Sequence, residues 1–299
     1  MSIGKRILRS WQLGLSGLRV IWNDKTLLGF PAVTVAAVVA ILSLVYIVIG
    51  PNLQLLVIAA VTDAAAPTNS TFFYSLLLAW YFMLAFVGVF MHVALIGAVH
   101  ISMNQRDSKF RDGITVASRF IPSIIAWTFI SYTFGFLLSV LDLFRPTSKL
   151  VRKVFGAAWS VITYLSVPVM VVQETSIFQA LSRSNKLMEK TWGENIHPGF
   201  SLGYFFTLLN LPTIGYAIWV YFQPLERHLL LEFFGALYFL LTMVMVQASR
   251  SVLMIALFEY ADTGKAPARF DADFLKVAFV PWDPTAEAPV EPKVEAPQA

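Results

Sequence analysis

The sequence predicts an all-α, polytopic transmembrane helix bundle of about six spans, with interfacial amphipathic helices at its edges. Of its 299 residues, 57% are hydrophobic and only 13% charged, and the mean hydropathy is +0.68. A soluble domain carries more charge than this. Apolar runs of about 20 residues, long enough to cross a hydrocarbon core of about 30 Å, recur along the chain. Lys and Arg collect between alternate runs, the pattern that orients membrane proteins.

Residues 1–26 set Lys5, Arg6, Arg9 and Arg19 among Ile7, Leu8, Trp11, Leu15, Leu18 and Trp22, which suits an amphipathic interfacial helix. A cleavable signal would end its short apolar core in small residues. Here the first long apolar run is span-length, and Ala64-Ala65-Ala66 lies well beyond it. Leu27 to Gly50 is that first span. Pro31 fits its first turn, and Ala32, Ala36 and Ala40 recur at a spacing that lets another helix approach closely. Pro51 to Ser70, with Asp63 and neither Lys nor Arg, is expected on the outer side.

The second span runs from Phe72 to about Ile101 and holds His92 and His100; a polar loop with Arg106, Lys109 and Arg111 follows. Arg119-Phe120-Ile121-Pro122 leads into a third span ending near Phe144, and Val154 to Val172 makes a fourth. Gly199 to Phe222 makes a fifth, where Pro212, close to Asn210, removes a backbone donor and kinks the helix. Leu229 to about Ala248 is the sixth, with helix continuing through Arg250 to Tyr260. The membrane domain is thus 27–262. In 263–281, Phe270, Phe274 and Val277 keep a helical spacing, with Asp271, Asp273 and Lys276 on the remaining faces, as in a short cytoplasmic amphipathic segment. The Pro, Ala and Glu content of 282–299 predicts a disordered tail.

Six crossings put both termini on one side, and the charges say which. With the amino terminus inside, inner segments hold Lys5, Arg6, Arg9, Arg19 and Lys25; Arg106, Lys109, Arg111 and Arg119; Arg183, Lys186 and Lys190; and Arg250, Lys265, Arg269, Lys276 and Lys293. Outer segments hold Arg227 and one contrary cluster, Arg145, Lys149, Arg152 and Lys153. The balance favours both termini in the cytoplasm.

The chain is organised around Pro168 to Trp192, where an apolar run gives way to a basic amphipathic segment. Ser176 and Gln179 have capping-box spacing, so a helix starts there. Ile177, Leu181, Ser184, Met188 and Trp192 fall on one side of it; Gln179, Arg183, Lys186 and Lys190 fall on the other. Arg183, Lys186, Lys190 and Trp192 are the candidate lipid contacts if this helix, 176–192, lies on the membrane. A solvated helix packed against the rest of a cytoplasmic loop has the same pattern.

Chemistry-bearing motifs are weak. Gly199-Phe200-Ser201-Leu202-Gly203 has nucleophile-elbow spacing, but it opens a membrane helix where the motif needs a strand before it. Gly199 and Gly203 read equally as a helix-contact pair. His92 and His100, eight apart, do not share adjacent turns, so they form no metal site. His92 is an ionisable group inside an apolar span and calls for a partner: a buried hydrogen bond, or a proton relay or substrate path. Glu174 and Arg250 end two spans at similar depth, so they either form an ion pair clamping helix 176–192 to the bundle or serve separately, Glu174 at a helix start and Arg250 snorkelling. Asn210 and Pro212 are the further polar-path candidates. The absence of cysteine removes disulfides and thiolate metal ligation. No catalytic, cofactor or metal residue is assigned, and nucleic-acid binding is unsupported.

Three stretches carry a likeness: SWQLGLSGLRVIWNDKTLLGFP, AWSVITYLSVPVMVVQETSIFQALSRSNKLMEKTWG and FEYADTGKAPARFDADFLKVAF. Together they resemble an uncharacterised family of prokaryotic six-span integral membrane proteins. The central stretch is also similar to membrane domains attached to some glycerophosphodiester phosphodiesterases. The resemblance implies a helical fold in a prokaryotic cytoplasmic membrane and supplies no activity. The functional expectation is a non-enzymatic scaffold or accessory module at the cytoplasmic leaflet, with membrane lipids and other membrane proteins as partners. The alternative is a transporter or lipid-handling protein, and behind it stands an intramembrane hydrolase using Ser201.

Overall fold

A computed structural model describes residues 15, 17–62, 70–104, 108–144, 156, 159–160, 162–192, 211–216, 218–219, 222, 225–267, 270, 272 and 275. Among these the regular structure is all helix, without a strand. After a single 3-10 turn, Lys25–Leu28, come α1 (Gly29–Thr62), α2 (Ser70–Asn104), α3 (Phe110–Arg119), α4 (Ile121–Phe144), α5 (Ser166–Val172), α6 (Ile177–Trp192) and α7 (Leu225–Thr263). The all-α membrane-type bundle expected from composition is therefore present.

Three described stretches are long and apolar enough to cross a membrane: Lys25–Ile47, Ser75–Asn104 and Phe234–Thr263. A fourth is reached if Phe110–Arg119 and Ile121–Leu137, bent by 77°, count as one span. Among the described residues the expected fourth span is represented by the apolar helical stretch Ile162–Val172. At 1.5 Å per residue this described stretch covers about half the length a crossing needs, and several residues before it lie outside the described ones. Most of the expected fifth span, with Ser201 and Asn210, lies outside the described residues, as do the first 14 residues and the tail beyond 275.

Two local expectations need correction. The first span was ended at Gly50, yet the helix α1 continues to Thr62. The segment LQLLVIAAV after Pro51 is apolar and carries no glycine, so the lost N–H bond does not end the helix. The loop expected around Lys109 and Arg111 is likewise largely the helix α3. Asp112 Oδ2 accepts the Lys109 backbone N–H at 3.1 Å, satisfying a first-turn donor. Gly113 and Ala117 form its buried face.

Helix α2 is the hub, touching α1, α3, α4, α5 and α7. Glycine lets α3 approach it. A Cβ on Gly113 would stand 2.5 Å from the Ala94 carbonyl oxygen and from the Phe30 ring, and one on Gly97 would stand 2.7 Å from Val116. Phe30 stacks on Phe110 across this contact with ring centroids 4.5 Å apart.

The core sits at one end of the bundle. In α2 continuous burial spans Val93 to Val99, and in α7 it is concentrated from Ala248 to Phe258. These regions meet Val20, Ile21, Leu27 and Phe30 near the start of α1, Ile124 near the start of α4, and Val167 to Val171 in α5. Towards the other end the same helices expose Leu42, Tyr46, Leu78, Phe136, Phe234 and Leu241. Large apolar side chains left uncovered along span-length helices are a surface suited to lipid. Ala32, Ala36 and Ala40 are also exposed.

Both edge segments are fastened to the packed end. Residues 17–23 are helical, and Gly17 lies so close to α7 that a Cβ there would meet Ser249 Oγ at 2.5 Å. Asp24 is buried; its Oδ2 accepts from Ser108 Oγ at 2.7 Å and its Oδ1 from the Thr26 N–H at 3.1 Å. Burial would raise the pKa of this carboxyl, but hydrogen bonds from Ser108, Ser102 and Thr26 hold it below the usual carboxylate range. Phe270 and Leu275 are buried in the core, so the expected surface segment packs inward there, while Phe274 and Val277 lie outside the described residues.

Candidate functional site

The junction between α5 and α6 is built by turn chemistry. Gln173 caps α5, and Glu174 follows with φ 49°, the left-handed conformation a helix uses to reverse. The Thr175 N–H then reaches the Met170 carbonyl at 3.1 Å, the long bond of a Schellman turn. Ser176 opens α6 as expected, its Oγ accepting the Gln179 N–H at 3.5 Å.

Helix α6 divides into two faces. Ile177, Ala180, Ser184, Met188 and Trp192 are buried against neighbouring helices, and Ser184 Oγ accepts the Leu165 N–H at 3.2 Å. Arg183, Lys186 and Lys190 are exposed on the other face, and Phe178 is 65% exposed at its flank. Trp192 does not belong with the lipid contacts. It is 6% exposed and donates its indole N–H to the Leu275 carbonyl at 3.0 Å. The apolar stripe of α6 faces protein because α5, α7 and the segment around Leu275 cover it.

Of the two readings of Glu174 and Arg250, the ion pair is not formed among the described residues. The cation found beside Glu174 is Arg119, 4.0 Å away, and both side chains are exposed. The α3–α4 bend brings Arg119 to this turn. The junction is joined to the bundle by Gln173 instead. Arg183 Nη1 donates to its Oε1 at 2.8 Å, and its Nε2 donates to Asp262 Oδ1 at 3.2 Å. Arg183 therefore has a role within the fold beyond its surface charge.

His92 stands at a second feature, a half-open cavity of about 420 Å³ among α1, α2, α4 and α7. Thr34, Gly88, Leu95, Trp127, Tyr132 and Gln247 line it with His92. The partner His92 required is Gln247, whose side-chain nitrogen lies 3.3 Å from Nδ1. Gln247 was not singled out from sequence, although an amide inside an apolar run is itself a signal. His100 faces Glu259 at 3.7 Å and Asn104 at 3.1 Å. Pro212 lies elsewhere, beside an apolar hollow of about 260 Å³ formed with Tyr216, Phe234 and Tyr238.

A family model described as a family of unknown function, DUF6159, matches residues 70–268, about two thirds of the chain. The chain belongs to the DUF6159 family. The matched region begins at the first residue of α2 and ends just beyond α7, so it includes His92, Gln247, Gln173 and all of α6. It leaves out α1, which supplies Thr34 to the cavity wall. No curated protein and no solved structure matches the chain.

Proposed function

We propose that this DUF6159 protein is a non-enzymatic scaffold or accessory module of a prokaryotic cytoplasmic membrane. Both termini and the packed end face the cytoplasm, where the module organises the inner leaflet. The observation carrying this reading is the two-faced setting of α6, with one face locked into the bundle and Arg183, Lys186 and Lys190 exposed on the other. Lys109, Arg111 and Arg119 add exposed cations from α3. A rigid basic platform at the end of an apolar bundle suits anionic headgroups, at about 1 kcal/mol for each cation near such a surface.

The test is enrichment of anionic lipid around protein held in nanodiscs of mixed phosphatidylcholine and phosphatidylglycerol. Lys186→Glu with Lys190→Glu should lower bound phosphatidylglycerol by about tenfold, since both side chains leave the platform and gain the wrong sign. Unchanged enrichment in a variant with native melting behaviour would overturn the platform.

A second reading, a lipid-handling protein, is favoured by the cavity at His92. Its wall is continuous with the exposed apolar surface through Met243, which lines it and is 43% exposed.

A further inference from the structure

The His92 cavity carries more than its volume. Its described lining contains neither Asp, Glu, Lys nor Arg. A phosphate, sulfonate or carboxylate headgroup would find no countercharge there, and a cationic headgroup no carboxylate. The imidazole likewise has no acidic partner in the wall. What the wall offers instead is a neutral pair, His92 and Gln247, brought together from α2 and α7.

That pair has a definite hydrogen-bonding remainder. If the Gln247 amide donates to Nδ1, the imidazole proton is on Nε2, leaving one N–H donor on the ring and one carbonyl acceptor on Gln247. If Nδ1 carries the proton, the Gln247 amide turns over, leaving Nε2 as acceptor and the NH₂ as donor. Counting the second N–H of the Gln247 amide, either arrangement leaves at least one donor and one acceptor. A hydroxyl, which donates one hydrogen bond and accepts others, is complementary to both. An ether lacks the donor and an anion lacks it too.

The rest of the wall fits an alkyl chain. Leu95, Trp127 and Met243 supply apolar surface, and about 420 Å³ lies in the usual range for small-molecule sites. Gly88 leaves space rather than contact, because nothing lies within 4 Å of where its Cβ would be.

We propose that this cavity binds a neutral single-chain lipid through its hydroxyl group, with the hydroxyl between His92 and Gln247 and the chain leaving past Met243 into the membrane. This rests on the lipid-handling reading and adds the headgroup chemistry. The bound hydroxyl would accept from one member of the pair and donate to the other, so no proton or electron is transferred.

The full-length protein in nanodiscs is to be photolabelled with a sixteen-carbon alcohol carrying a chain diazirine, and with its methyl ether and sulfonate analogues, followed by peptide mapping. The alcohol should label α2 and α7 peptides around the cavity at least about tenfold more than either analogue. Gln247→Leu should remove that preference, and Gly88→Leu, whose Cβ enters open space at the cavity wall, should remove the labelling itself. Equal labelling by all three probes, abolished by Gly88→Leu, would overturn the hydroxyl site while leaving lipid handling intact. Unaltered preference in Gln247→Leu would also overturn it. Absence of cavity labelling by every probe would overturn both.

Discussion

Gln173 Nε2 donates to Asp262 Oδ1 at 3.2 Å, joining the end of α5 to the end of α7 across 89 residues of sequence. The same amide accepts from Arg183 at 2.8 Å, so one neutral side chain connects three helices. Replacing it with leucine removes both bonds. Because the groups are exposed, Gln173→Leu should cost only about 1 kcal/mol, read as a lowered melting temperature in detergent micelles. A melting temperature equal to the wild type would show that the bridge adds nothing.

Glu174 occupies a left-handed position that favours glycine. Glu174→Gly should therefore be neutral or stabilise by up to about 1 kcal/mol, despite losing the exposed contact with Arg119. Glu174→Val should destabilise, because a β-branched side chain is least suited to this backbone. Thermal melts of the two variants check the opposite signs.

Gly113 lies against the Ala94 carbonyl and the Phe30 ring. Gly113→Ala should cost about 1–3 kcal/mol, since backbone cannot step aside as a side-chain tip can. Gly135→Ala is the control, with no atom within 4 Å of its added Cβ. Comparable melting temperatures for both variants would contradict the close packing of α3 on α2.

Asp24 gives a pH-dependent prediction. Its folded pKa lies below the unfolded value, so its contribution is present above the usual carboxylate range, about pH 4, and is lost as pH falls through the folded value. The melting-temperature gap between wild type and Asp24→Asn should be full at pH 6 and shrink towards pH 3. A gap that widened on acidification would reverse the assignment.

Much of the fold was legible because hydropathy and helical period are local properties. The runs of α2, α4 and α7, the start of α6 after Ser176 and the two faces of α6 could all be read from residues within a few turns of one another. The short helix α3 was hidden by its charged residues. Its signal was present in the spacing of Phe110, Gly113 and Ala117, with Asp112 placed to cap the turn. The first helix was ended too early, at Gly50, because span length marks a crossing and not the end of the helix, which continues to Thr62.

The candidate site was only half legible. His92 stood out as a histidine inside an apolar run, but its partner is 155 residues away. Trp192 looked like an interfacial anchor because an amphipathic stripe looks the same whether lipid or protein covers it. By itself the sequence determined the helical membrane class, the principal long helices and the basic face of α6, all consequences of composition and local period. Tertiary structure alone decided which residue meets Glu174, what covers Trp192, and that His92 and Gln247 share a cavity wall. Those outcomes depend on how helices distant in sequence approach and bend, and no local pattern specifies that.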